Sequence, residues 1–194
     1  MGAPMHAEDI RRIASESAAL QQRFFAENAE RLLDVGERIA ACALVGGRVL
    51  AFGNGGSAAH AQHFAAELVG RFRRERDALS AISLAADPSV LSAVGNDMGF
   101  AAVFRRQIEA HGRPGDVAFG ITTSGRSPNV VEGLRAARDR GLTTIALTGN
   151  GGGELGSLVE YMVDVPHGDT ARIQEVHTVV VHVLCQIVEE ATAH

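Results

Sequence analysis

His63 and Glu67 stand four residues apart, and Gln174 and His182 stand eight apart, each pair in a stretch with helical periodicity. Side chains at i and i+4 project from one helix face, so the first spacing sets an imidazole about one turn from a carboxylate. The second spacing puts an amide and an imidazole on one side of a helix about two turns apart. Small or β-branched residues surround both pairs: Ala58, Ala59, Ala61, Ala65 and Ala66 around the first, valines around the second. Two helices presenting His, Glu, Gln and His inward can make a divalent metal site or an acid/base pair. Taken singly, each of these residues reads more simply as a hydrogen-bonded core residue, as do His60, His111, His177 and His194. The chemistry rests on the four together.

Two loops add ligand-binding character. Gly53-Asn54-Gly55-Gly56-Ser57-Ala58 follows an apolar run and leads into a helical stretch. As a string it satisfies G-x-G-x-x-G/A, but the acidic residues at the distance a dinucleotide ribose needs, Glu75 and Asp77, fall in a charged stretch before the second strand begins. The better reading is a set of glycine amides at a helix N-terminus, capped by Ser57, that donate to an anion or a sugar hydroxyl. A tight strand-to-helix turn without a ligand also explains this loop taken alone. Thr122-Thr123-Ser124-Gly125-Arg126-Ser127-Pro128-Asn129 is more pointed: four hydroxyls, a permissive glycine and a proline at a helix start suit a phosphate cradle. A cap by Ser127 explains only one hydroxyl of the four.

The elements that must position these residues follow from the pattern of apolar runs. Val49–Phe52, Ala81–Leu84, Val117–Ile121, Thr144–Leu147 and Tyr161–Val165 are short and continuous, and helical stretches follow all but the weak fourth. This alternation predicts an α/β fold with a five-stranded parallel sheet covered by helices on both faces. Residues 7 to about 43 are helical and read as two helices before the sheet, so that residues 1–45 form an N-terminal helical extension of one domain spanning 1–194. The final helix, near Asp169 to Glu190, is apolar on more than one side and is expected to pack against another subunit.

Composition narrows the function. The 194 residues are 46% hydrophobic with a formal net charge of -5, which argues against a nucleic-acid or anionic-membrane binder. All 18 basic residues are arginine. Without a lysine amine, Schiff-base aldolase, pyridoxal-phosphate and Walker-type nucleotidase chemistry are excluded. Cys42 and Cys185 belong to no C-x-x-C pair and read as reduced core residues. Residues 1–10 lack the basic start and apolar stretch of a signal peptide, and no apolar run approaches a membrane span, so a cytoplasmic location is expected.

Five ordered strings, GNGGSAAHAQHFAAELVGRF at 53–72, GND at 95–97, TTSGRSPN at 122–129, LTGNGGGEL at 147–155 and ARIQEVHTVVVH at 171–182, closely resemble the sedoheptulose 7-phosphate (phosphoheptose) isomerases of the sugar isomerase (SIS) domain superfamily. The resemblance implies a flavodoxin-like three-layer sandwich and a homotetramer with active sites at subunit interfaces. It implies interconversion of sedoheptulose 7-phosphate and D-glycero-D-manno-heptose 7-phosphate, the first step towards nucleotide-activated heptose. It implies Glu67 as the base, His182 as its acid/base partner, and His63, Glu67, Gln174 and His182 as ligands of one zinc ion per subunit. Substrate contacts would come from Asn54, Gly55, Gly56, Ser57, Glu67, Arg71, Asn96, Asp97 and Gln174, and the phosphate cradle from Thr122, Thr123, Ser124 and Ser127. The family often has serine at the position of Thr122, a change that keeps the hydroxyl. Some close relatives are instead non-catalytic regulators that bind the bacterial replication initiator protein; they lose the glutamate and the last histidine, and this chain retains both. An isomerase of another phosphosugar is the further alternative.

Overall fold

A computed structural model describes residues 4–192. The chain opens with one helix, α1 (Ala7–Leu44), and then alternates: β1 (Val49–Gly53), α2 (Gly56–Val69), β2 (Ala81–Ser83), α3 (Pro88–Met98), α4 (Val103–His111), β3 (Val117–Ile121), α5 (Pro128–Asp139), β4 (Thr143–Gly149), β5 (Tyr161–Val165) and α6 (Thr170–Thr192). All five strands are parallel, in the order β2-β1-β3-β4-β5. This is the flavodoxin-like order, in which β1 and β3 are neighbours at the point where the winding direction reverses.

Alternation along the strands builds two cores. Val49 and Ala51 of β1, with Val117, Phe119 and Ile121 of β3, face a layer made by α1, α2 and α6. Leu50 and Phe52, with Ala118 of β3, face the opposite layer of α4 and α5. Strands buried on both faces carry no polar alternation, which is why they read as continuous apolar runs.

The N-terminal segment departs from expectation. Residues 7–44 form a single helix of 38 residues, where two were expected. The polar stretch around Glu27–Glu30 suggests an interruption, yet it holds neither glycine nor proline, and the flanking apolar residues Leu20, Phe24, Leu32, Val35 and Ile39 stay on one buried stripe. The fourth strand is stronger than its sequence suggests, with seven buried residues, and a short 3-10 turn (Gly153–Ser157) follows it in place of a helix. Cys42 and Cys185 are buried free thiols, as expected. Burial, reinforced by the nearby Glu67 carboxylate, pushes the Cys185 thiol up to about 12. Among the described residues no helix is long and apolar enough to cross a membrane.

His177 ties α6 to the sheet. It is fully buried, and its Nε2 donates to the Thr148 carbonyl of β4 at 3.0 Å. His111, by contrast, is exposed at the end of α4 and is not a core residue; His194 lies outside the described residues. Burial holds the His177 imidazole down to about 4, below its ordinary 6.5, even though the Thr148 carbonyl favours the charged form. Between those two values the unfolded chain binds a proton that the fold refuses, so stability is complete above 6.5 and is lost as pH falls towards 4. Denaturant unfolding across that range should show a loss of up to about 3 kcal/mol in the wild type that is missing from His177→Gln, whose amide can still donate to Thr148.

Candidate active site

The crevice between the carboxyl ends of β1 and β3 is where the fold opens. The loop after β1 leads to α2 on one face, and the loop after β3 leads to α5 on the other. A pocket of about 280 Å³ lies between them, lined by Asn54, Gly55, Gly56, Ser57, Ile121, Thr122, Thr123, Ser127, Thr170 and Gln174. Three helix N-termini, those of α2, α5 and α6, reach this pocket. Each carries partial positive charge and unpaired amides, which is how a chain without lysine can receive a dianion.

Local geometry decides which groups are free. Gly55, at φ +53°, turns the chain into α2, and the amides of Ser57 and Ala58 bond back to the Asn54 carbonyl at 2.9 and 3.3 Å. Ser57 is therefore buried in the first turn and does not cap the helix as expected. The donors left at this wall are the Gly55 and Gly56 amides. Gly56 also allows a close approach: a Cβ there would lie 2.5 Å from Nε2 of Gln174. Across the crevice the Thr122 and Ser127 hydroxyls touch at 3.2 Å, and Ser127 caps α5 through its backbone carbonyl alone. Ser124 does not line the pocket; its hydroxyl accepts from the Arg126 amide at 3.2 Å and shapes the loop. Asn129, quoted in the hydroxyl motif but given no role, pairs reciprocally with Asn54, each amide donating to the other at 2.8 Å. Thr170 lines the pocket, and the sequence did not single it out.

The other constellation sits further along α2 and α6. His63 Nε2 and Glu67 Oε1 are 3.1 Å apart, and the His182 ring stands edge-on to that of His63 with centroids 5.0 Å apart. Phe72 lies nearly parallel to His182 at 5.8 Å. Arg71 follows α2 in the chain, immediately before Phe72, with its exposed guanidinium 3.5 Å from the exposed Glu75. Close by, Thr178 gives its hydroxyl proton to the Gln174 carbonyl and so must accept from His60 Nε2 at 2.9 Å. Burial, and secondarily His63, pushes the His60 imidazole below its ordinary value.

Gln174 is not part of this cluster. It faces the crevice beside Gly56, eight residues and about 12 Å along α6 from His182. Two imidazoles, a carboxylate and an amide oxygen are suitable zinc donors by type. In one chain they do not fit: among the described residues no three His, Cys, Asp or Glu side chains form a group able to hold a metal ion. Asn96 and Asp97, expected at the substrate, are exposed on α3; the Asn96 amide donates to the Asp97 carboxylate at 2.7 Å, and neither residue lines the crevice.

A doubly wound parallel sheet with hydroxyl and amide loops at its switch point is an arrangement suited to an anionic ligand, and a family model described as the SIS domain matches residues 14–149. The phosphoheptose isomerase of Aquifex aeolicus is 52% identical over 183 residues, covering 94% of this chain and 96% of that one. The solved phosphoheptose isomerase of Neisseria gonorrhoeae is 41% identical, covers 94% of this chain and 98% of its own, and superposes with a TM-score of 0.89. That of Francisella tularensis is 33% identical, with coverage of 96% and 100% and the same TM-score. The chain belongs to the SIS domain family, in its phosphoheptose isomerase branch.

Gly125 is the backbone pivot of the hydroxyl loop. It sits at φ +63°, and a Cβ there would fall 2.2 Å from the Gly152 carbonyl. Gly125→Ala must move the loop off Gly152 as well as strain its own backbone, so urea unfolding should show a loss of about 3 kcal/mol. Binding of inorganic phosphate, followed by calorimetry, should weaken in parallel.

Proposed function

We propose that this chain is an aldose–ketose isomerase that converts sedoheptulose 7-phosphate to D-glycero-D-manno-heptose 7-phosphate through an enediol. The observation that carries this reading is the Glu67–His63–His182 cluster on the two helices whose N-termini also form the phosphate-sized crevice. Whole-chain similarity to enzymes named phosphoheptose isomerase supports the same substrate.

The chemistry follows from the groups. The crevice holds the substrate phosphate through the Gly55 and Gly56 amides and the Thr122, Thr123 and Ser127 hydroxyls. The Glu67 carboxylate takes a proton from C1 of the ketose, leaving an enediol across C1 and C2, and returns a proton to C2. His182 carries the hydroxyl proton from O1 to O2, so the carbonyl ends on C1 with no net oxidation. Arg71, on the segment that follows α2, is the residue assigned to supply positive charge for a developing enediolate. A zinc ion would have to draw on His63, Glu67, Gln174 and His182 from more than one copy, and so bound it would supply Lewis-acid polarisation of a carbonyl.

The site is also proposed to be shared between subunits of a homotetramer. Glu67 lies eleven residues along α2 from Gly56, about 16 Å at the helical rise, farther than a seven-carbon phosphosugar spans comfortably. An apolar groove of about 380 Å³ between α1 and α6, lined by Phe25, Leu32, Leu33, Val183 and Ile187 among others, offers the surface for a second copy. Such a groove on a single chain supports assembly.

Two experiments test this. Glu67→Gln should fold normally and lose at least about a thousandfold in turnover of sedoheptulose 7-phosphate; near-normal turnover would sink the base assignment. Co-expressing Glu67→Gln with Thr122→Val, each nearly inactive alone, should restore a substantial fraction of activity if one subunit's crevice works with another's carboxylate. No restoration in a mixed tetramer overturns the shared site. Elemental analysis of the purified protein, with melting measured before and after chelation, checks the zinc.

A further inference from the structure

Glu189 carries the most deeply buried carboxylate among the described residues, at 3% exposure. It lies on α6 seven residues after His182, two turns on along the same helix face. Its oxygens accept the backbone N–H groups of Phe72, at 3.0 Å, and of Arg73, at 2.9 and 3.0 Å. Burial alone would raise this carboxyl, but those amides and the Arg76 guanidinium hold it below the ordinary glutamate value.

Arg76 is equally buried and approaches Glu189 with Nε at 3.7 Å from Oε1, an ion pair without a hydrogen bond. Its terminal nitrogens are spent elsewhere. One donates to the Leu68 and Asp77 carbonyls at 2.9 and 2.8 Å, and the other to the Glu67 carbonyl at 2.7 Å. The last carbonyls of a helix have no partner within it, so Arg76 closes the end of the helix that carries Glu67. A single buried charge pair thus ties three things together: the end of α2, the loop that follows it, and α6.

The loop's product is the placement of Phe72. Its amide is anchored on Glu189, its ring lies 28° from parallel to the His182 imidazole, and the Arg73 guanidinium stands 4.9 Å over the same phenyl ring. With His63 edge-on at 83°, His182 is bounded on two sides and its ring plane is defined.

We propose that Glu189 and Arg76 are positioning residues for His182, acting through the anchored loop and the Phe72 ring to fix the orientation of the imidazole relative to Glu67. This rests on reading His182 as the acid/base partner, while the clamp itself is a matter of geometry and can be tested without turnover. Misorientation of a proton-transfer group costs rate and leaves substrate affinity largely alone, because the crevice that grips the phosphate lies at the other end of both helices.

The test uses the intact protein with isotope-labelled histidine. Phe72→Leu removes the ring and keeps an apolar side chain; Phe72→Tyr restores the ring; Glu189→Gln removes the charge that faces Arg76. Expected for Phe72→Leu is a fall of about tenfold in kcat with KM within about twofold, recovered in Phe72→Tyr. The His182 ring-proton resonances should lose their ring-current shift in Phe72→Leu and in Glu189→Gln and keep it in Phe72→Tyr. Breaking a buried pair can cost the fold itself. If Glu189→Gln does not fold, the Arg76–Glu189 part is read from Arg76→Lys, which keeps the charge and loses the reach to the α2 carbonyls, with the same His182 signal. Unchanged His182 resonances and kcat in folded Phe72→Leu, or unchanged resonances in a folded Glu189→Gln or Arg76→Lys, overturn the proposal. Shifted resonances in a protein whose wild type turns over no phosphosugar uphold the clamp and overturn the isomerase reading.

Discussion

The adjacency of β1 and β3 is the constraint on which the site depends. Parallel neighbours hydrogen-bonded along their whole length, Val49 to Gly53 against Val117 to Ile121, must end level with one another. Their helices then leave to opposite faces, because each covers a different core. The chain cannot fill the space between the two departing loops, and the crevice is what remains. The Asn54–Asn129 pair spans it from below, joining the start of one helix to the start of the other. The second functional cluster is a downstream result of the same geometry, since α2 carries His63 and Glu67 away from the crevice and packs them against α6.

Charge in this molecule is managed by backbone more than by side chains. At the crevice an anion is met by helix ends and hydroxyls, and all the basic residues of the chain are arginines, several of which pair on the surface while Arg76 caps carbonyls inside. At Glu189 the roles are reversed: a buried carboxylate takes amide donors from a loop. In both places the protein sets N–H groups against negative charge in a poorly hydrated setting, where such bonds are strong and leaving them unmade is costly. The difference is that one negative charge arrives with a ligand and the other is built in.

Much of this was legible in the sequence. The five strands fell where continuous apolar runs placed them, because burial on both faces leaves a signal that needs no partner to interpret. The hydroxyl loop was readable for the same reason, as its residues act within one turn of each other. What could not be read depended on where distant segments meet. Ser124 and Thr123 are chemically alike in the sequence, yet Thr123 lines the pocket while Ser124 accepts from the Arg126 amide within a loop whose Gly125 packs closely on Gly152. Gln174 and His182 share a helix face, yet a face says nothing about separation along it: α2 runs beside α6 and meets Gln174 at Gly56 but His182 only seven residues on, at His63. The single long α1 hid behind a polar stretch that lacked any residue able to break it. Glu189 did have a signal, an acid on the apolar stripe of the last helix, but near a helix end such a residue reads as ordinary surface charge.

The reciprocal amide pair across the crevice also bears on how the protein ages. Asn54 precedes Gly55, and an asparagine followed by glycine is the dipeptide most open to deamidation, since nothing on the glycine obstructs attack of its nitrogen on the side-chain carbonyl. Here both atoms of that side-chain amide are engaged by Asn129. Held so, the group is kept from swinging onto the backbone nitrogen. Were it lost, the resulting aspartate would bring a carboxylate into a crevice arranged for an anion and leave Asn129 without its donor. The chemical lifetime of the binding site is therefore set by the same contact that sets its shape.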